Sequence, residues 1–210
     1  MGRPGWFDGD MALPLEFHLA SARPDLLAAP VAAALTELSA KQSANGTPPN
    51  NPADTAADNA DWATKVRVAA IDPGLSDTAE FCAEYGVAPE ASANCVIIAA
   101  KRGGEVTYAA CMVAATTRAD VNGLVRRHLG ARKASFGATD VVTAATGMEY
   151  GGITPVGLPP SWPVLVDELV ARSPEVVIGS GIRGSKLWLP GALLASLPAA
   201  QILGNLGVPV

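Results

Sequence analysis

The sequence predicts an α+β domain built on a mixed, largely antiparallel sheet flanked by helices. Two observations carry this. Short apolar, strand-like runs recur along the chain, several of them joined by tight turns, as in CVIIAAKRGGEVTYAACMVAA. Capped helical stretches are interspersed among them without the strict alternation of a doubly wound fold. With 49% hydrophobic and 17% charged residues, the 210-residue chain fits one domain, or a domain with an appendage, and can bury a sizeable core.

Along the chain, DLLAAPVAAALTELSA (25–40) predicts a helix started by Pro24 and Asp25 and interrupted or kinked at Pro30. Residues 41–61 are rich in Pro, Asn, Asp and Thr and nearly free of large apolar side chains, which predicts a long mobile loop. The expected division is therefore 1–65, an N-terminal helix with that loop, and 66–210, the main domain. ATKVRVAAID alternates as a strand, with Val66 and Val68 on one face. Asp72-Pro73-Gly74 reads as a turn. SDTAEFCAEYG reads as a helix capped by Ser76 or Asp77 and closed by Gly86. Cys95–Ala100 and Val106–Ala115 form a hairpin around KRGG. Asp120 caps a helix whose inner stripe is Val121, Leu124, Val125 and Leu129, leaving Arg126 and Arg127 outside; Gly130 closes it. RKASF is a short strand, and Thr139 caps a brief helix that stops at Gly147. PVLVDELV, EVVIGSG and GSKLWL read as strands. PGALLASLPAAQIL reads as a terminal helix with Pro190 at its first position. No internal repeat is evident.

Composition narrows the function classes. No apolar run is long enough to span a bilayer, and the opening MGRPGWFDGDMALPLEF lacks a signal-peptide core, so a soluble cytoplasmic protein with no membrane partner is expected. Cys82, Cys95 and Cys111 have no CxxC spacing and read as buried free thiols. With only His18 and His128, no metal site and no cofactor are expected. Net charge is −5, but residues 1–90 carry −8 and residues 91–210 carry +3. Seven cations fall within 101–133: Lys101, Arg102, Arg118, Arg126, Arg127, Arg132 and Lys133. Such a basic face can bind an anion on an acidic protein. Arg126 and Arg127 are the candidate phosphate contacts, and Lys101 reads as an exposed hairpin charge.

The stretch GGITPVG (151–157) stands apart. Paired glycines expose successive N–H groups that can form an anion- or carbonyl-binding concavity, and Pro155 stiffens the loop. A tight structural turn is the alternative. Neither a phosphate-binding GK[ST] loop nor a GxGxxG fingerprint is present.

From IDPGLSDTAEFCAEYGVAPE, through DVNGLVRRHLGARKASFGATDVVTAATG, to GGITPVG and IGSGIRGSKLWL, the order of pieces resembles the YbaK/EbsC family. That family includes free-standing prolyl-tRNA editing domains and the domains inserted in prolyl-tRNA synthetase. The resemblance covers about two-thirds of the chain. It implies a translation-fidelity hydrolase, an aminoacyl-tRNA deacylase that cleaves the ester of a mischarged tRNA, with the tRNA acceptor end as partner. It sets Gly151 against the aminoacyl end, with Gly152, Thr154, Pro155, Gly157, Gly181 and Arg183 as substrate-binding candidates. The chain carries no Ser-His-Asp set or paired carboxylates, so water or a substrate group would be the nucleophile.

Three positions depart from the family pattern. The usual pocket lysine is Asn94, a tyrosine of some members is Ala69, and an acidic residue is Lys186. Asn94 and Lys186, grouped with Gly151 as catalytic candidates, read either as a lysine charge moved from one pocket wall to another or as drift in a member that binds without hydrolysing. Strand alternation puts Lys186 on a face with Trp188. That pair either faces solvent or lines the pocket, with the indole as a wall.

Overall fold

The computed structural model describes residues 13–44 and 61–210. Its first regular elements are a short strand, β1 (His18–Leu19), and a helix, α1 (Ala29–Ala44). Pro30 falls in the first turn of α1, where a missing N–H costs nothing, so the expected interruption does not occur. Pro24 and Asp25 belong instead to a separate 3-10 turn, Pro24–Leu26. α1 runs on to Ala44, into the stretch expected to be loop; residues 45–60 lie outside the described residues. ATK is helical rather than extended. Asp61 accepts from the Ala63 and Thr64 N–H groups and nucleates α2 (Trp62–Lys65), ahead of β2 (Arg67–Ala70).

The helix α3 (Thr78–Tyr85) follows Asp77 and closes at Gly86, which sits at φ 63°. The hairpin β3 (Ala93–Arg102) and β4 (Glu105–Ala114) pairs along its full length, with Gly103 and Gly104 at positive φ in the turn. After β5 (Thr117–Ala119), Asp120 accepts from Gly123 and Leu124 N–H groups. A π-helical turn, Val121–Val125, then runs into α4 (Arg126–His128). β6 (Lys133–Phe136) and α5 (Thr139–Thr146) follow, with Ala138 rather than Thr139 in the capping position.

The C-terminal third departs most from expectation. Only Val164–Asp167 of PVLVDELV is strand (β7). The Asp167 carboxylate accepts from the Leu169 N–H and starts α6 (Glu168–Arg172). β8 (Val176–Gly179) and β9 (Ser185–Leu189) form as expected. The predicted terminal helix is only α7 (Gly191–Ala195), because Pro198 cannot continue it. The chain then returns as β10 (Ala200–Leu203) and β11 (Gly207–Pro209).

These strands form a four-stranded antiparallel sheet, β1-β2-β9-β8, and a five-stranded mixed sheet, β10-β7-β4-β3-β6. In the mixed sheet β7 runs parallel to both β4 and β10. β11 pairs with β5 in a third, two-stranded sheet. The architecture is thus α+β, mixed and largely antiparallel. The largest core cluster joins Val31 and Leu35 of α1 to Val164 and Val166 of β7 and Leu187 and Leu189 of β9. The other face of β9 is also covered: Trp188 packs with Phe81 of α3, Tyr85, Ala69 and Val177. With both faces of β9 buried, Lys186 is buried too, at 6% exposure.

A candidate functional site at Gly151, Asn94 and Lys186

Separate segments, β8 with Gly179 among them, converge on one depression of about 210 Å³. The Asp72 turn and the start of α3 supply Ser76, Asp77 and Thr78; β3 supplies Asn94; the glycine loop supplies Tyr150 and Gly151; β9 supplies Lys186. Local chemistry fixes each of them. The Asp72 carboxylate accepts from Gly74 N–H, and Asp72 N–H donates to the Tyr85 hydroxyl, which docks the turn on α3. The Asn94 Oδ1 accepts from the Thr78 hydroxyl at 2.6 Å.

Lys186 is the main charge in the depression. Its Nζ donates to the Ser76 carbonyl at 2.7 Å and lies 5.3 Å from the centre of the Phe81 ring. Burial pulls its ammonium down to about 8; Cys82 and Asp77 oppose that fall and Arg183 adds to it. An appreciable part of the amine is therefore neutral near neutral pH. Ser76 is 1% exposed, and its buried hydroxyl has no hydrogen-bond partner among the described residues. A buried orphan hydroxyl costs about 1–3 kcal/mol unless something bonds it.

At Gly151, φ is 87°, and a Cβ would lie 2.5 Å from the Arg183 Nη1 and 3.3 Å from the Ser76 Oγ. A side chain here would displace the Arg183 guanidinium and hold a strained left-handed backbone. The Gly151 N–H makes no hydrogen bond among the described residues, whereas Gly152 N–H is spent on the Glu149 carbonyl. Arg183 is held over the loop: Nε donates to Pro73 O at 3.2 Å, Nη1 approaches Tyr150 O, and its own N–H donates to Glu149 Oε2.

The remaining sequence candidates do not line this depression. Gly152 has no room for a Cβ against the Ile182 backbone, and Gly181 none against Ala28. Thr154 is fully buried, with an unpartnered hydroxyl. Pro155 and Gly157 line a different, more apolar cavity of about 290 Å³ with Trp162 and Leu38. These residues pack the loop against α1 and the β8–β9 turn. Trp188 forms no wall of the depression either; its ring meets Phe17 edge-on at 4.8 Å within the core.

Sequence reasoning missed Ser76, Thr78 and Tyr150 as site residues. Ser76 reads locally as a helix cap, and only the fold brings it opposite Gly151. Among the described residues no group of three or more His, Cys, Asp or Glu could hold a metal ion, and no helix is long and apolar enough to cross a membrane. Cys82 and Cys111 are buried free thiols; Cys95 is partly covered.

Residues 72–197, more than half of the chain, match the aminoacyl-tRNA editing domain family. The chain belongs to that family. The matched segment contains every residue lining the depression. Solved structures share the fold. The hypothetical protein APE2540 superposes with a TM-score of 0.60 at 20% identity, over 68% of this chain and 91% of that one. A structure solved as a candidate trans-editing enzyme for prolyl tRNA synthetase gives 0.58 at 21% identity, over 66% and 85%. No curated protein matches the chain.

Proposed function

We propose that the depression receives the aminoacyl end of a tRNA and hydrolyses the ester that joins amino acid and ribose. The observation that carries this reading is the convergence of an undonated Gly151 N–H, an orphan Ser76 hydroxyl and a buried, partly neutral Lys186, in a chain of the editing family. The ester carbonyl oxygen accepts from Gly151 N–H, with the Ser76 hydroxyl as the second donor. Each such donor is worth ~2.7–4 kcal/mol to a developing oxyanion in other acyl-transfer sites. Neutral Lys186, steadied by its bond to Ser76 O, takes a proton from the attacking water as the oxygen adds to the carbonyl carbon. The tetrahedral intermediate collapses by breaking the bond to the ribose oxygen, which leaves with that proton. Arg183, at the rim, is the candidate phosphate contact.

Asn94 favours a second reading, in which the site holds an aminoacyl end without cleaving it. Asn94 is uncharged, and its Oδ1 is already engaged by Thr78. A deacylation screen over mischarged tRNAs separates the two. Hydrolysis of at least one by the unmodified protein, abolished in Lys186→Met and partly recovered when Asn94→Lys is added, supports the first. Binding without turnover supports the second. Full activity in Lys186→Met ends the role assigned to Lys186.

A further inference from the structure

Lys101 and Lys133 face each other directly across β3 and β6. Like charges at such positions repel. Glu105 stands opposite Arg102 at the hairpin end, yet among the described residues Lys101, Arg102, Arg127, Arg132 and Lys133 are all exposed and none forms an ion pair. The fold links them into one corner. Arg132 N–H donates to Lys101 O at 2.9 Å, and the Arg102 guanidinium donates to the Gly130 carbonyl at the end of α4, one turn from Arg127. All this occurs on a chain of net charge −5. Concentrated, unpaired cations match the backbone phosphates of a nucleic acid. The position relative to the depression is informative. β3 carries Asn94 near one end and Lys101 near the other, seven residues apart, which is about 23 Å of strand.

We propose that this corner is a second RNA-binding surface, holding backbone phosphates of a duplex whose 3′ end enters the depression. The inference rests on the proposed reading of that depression as an aminoacyl-RNA site. β3 then acts as a ruler: the end of the RNA lies at Asn94 and its stem at Lys101 and Lys133.

The test compares two uncharged RNA hairpins with the same single-stranded 3′ end. One has a stem long enough to cover ~23 Å; the other has a stem too short to reach the corner. Binding is measured over a salt series with the unmodified protein and with Lys101→Glu/Lys133→Glu, whose side chains are exposed and whose fold is checked by circular dichroism. Loss of two phosphate contacts lowers the salt slope by about 2 and the affinity for the long hairpin by about 30-fold near 0.15 M salt. Affinity for the short hairpin stays unchanged. An unchanged slope and affinity for the long hairpin overturns the proposal and leaves the lysines as guards of the open β6 edge. Equal losses on both hairpins, or no binding of the long hairpin by the unmodified protein, overturn it as well. Hydrolysis of aminoacyl-adenosine esters, too small to reach the corner, reports separately on the depression. It persists in the double variant, and its absence in the unmodified protein counts against the hydrolytic reading alone.

Discussion

Replacing Lys186 by Met tests whether burying an amine in β9 taxes the fold as its surroundings require. The ammonium falls from 10.5 to about 8 because burial strips its water. That fall corresponds to about 3 kcal/mol against the charged form. The unfolded chain keeps its lysine charged up to its ordinary value, so between about pH 8 and 10.5 it binds more protons than the folded protein. Stability contributed by this residue is therefore fully present above 10.5 and is lost as pH falls through about 8. Met fills a similar volume and carries no such penalty, but it leaves the Ser76 carbonyl without its donor, at a cost of about 1–3 kcal/mol. Near neutral pH the two effects roughly offset. The pH dependence does not cancel. From about pH 7 to 10 the unmodified protein should gain ~2–3 kcal/mol relative to Lys186→Met, at a slope approaching 1.4 kcal/mol per pH unit. Urea unfolding of both proteins over that range measures the difference directly. Taking the difference also removes the thiols of Cys95 and Cys111, whose raised values destabilise the fold above about pH 9 in both proteins. Parallel stability curves would refute the buried-amine reasoning and mean that Lys186 reaches water.

Three further outcomes are expected. Gly157→Ala should cost more stability than Gly104→Ala: both sit at positive φ, worth about 1–2 kcal/mol, but a Cβ at 157 would meet Pro30 O at 2.5 Å while one at 104 meets nothing within 4 Å. Equal midpoints in urea would show that the loop yields freely. Trp188→Ala should destabilise by about 3–5 kcal/mol, since the indole is fully buried between Phe17 and Phe81; a loss under 1 kcal/mol in the same assay would contradict that packing. Cys111, whose thiol burial pushes up to about 12, should resist alkylation near pH 8 in the folded protein, and labelling as fast as that of a free thiol, read by mass spectrometry, would contradict its burial.

What the sequence makes legible is what local chemistry decides. Gly86 and Gly147 end helices because left-handed residues do so wherever they stand, and the KRGG hairpin forms from two glycines at positive φ. What it hides depends on partners far away. The apolar run at 164–170 looks extended until Asp167 turns it into a helix cap while also accepting from Gly207 N–H. Lys186 looks like a surface lysine until α3 closes over it. Within GGITPVG, Gly151 and Ile153 reach the depression; Gly152 and Gly157 are small because neighbouring backbone is too close for any side chain. Ser76 offers no signal at all, because an unpaired hydroxyl is a property of the assembled space around it.

The four-stranded sheet pairs β2 with β9 across more than a hundred residues of intervening chain, with Arg67 opposite Trp188. That pairing sets a timetable for synthesis. Until the chain has been made through Leu189, β2 has no central neighbour and α3 has no indole beneath it. A nascent chain holding Ser76, Asn94 and even Gly151 thus has no depression, because Lys186 of β9 is made only after all of them. Such long-range closure belongs to the slow, millisecond-to-second class of folding. The candidate site should therefore appear in one step once β9 has been made, and products that stop before β9 should show no trace of it.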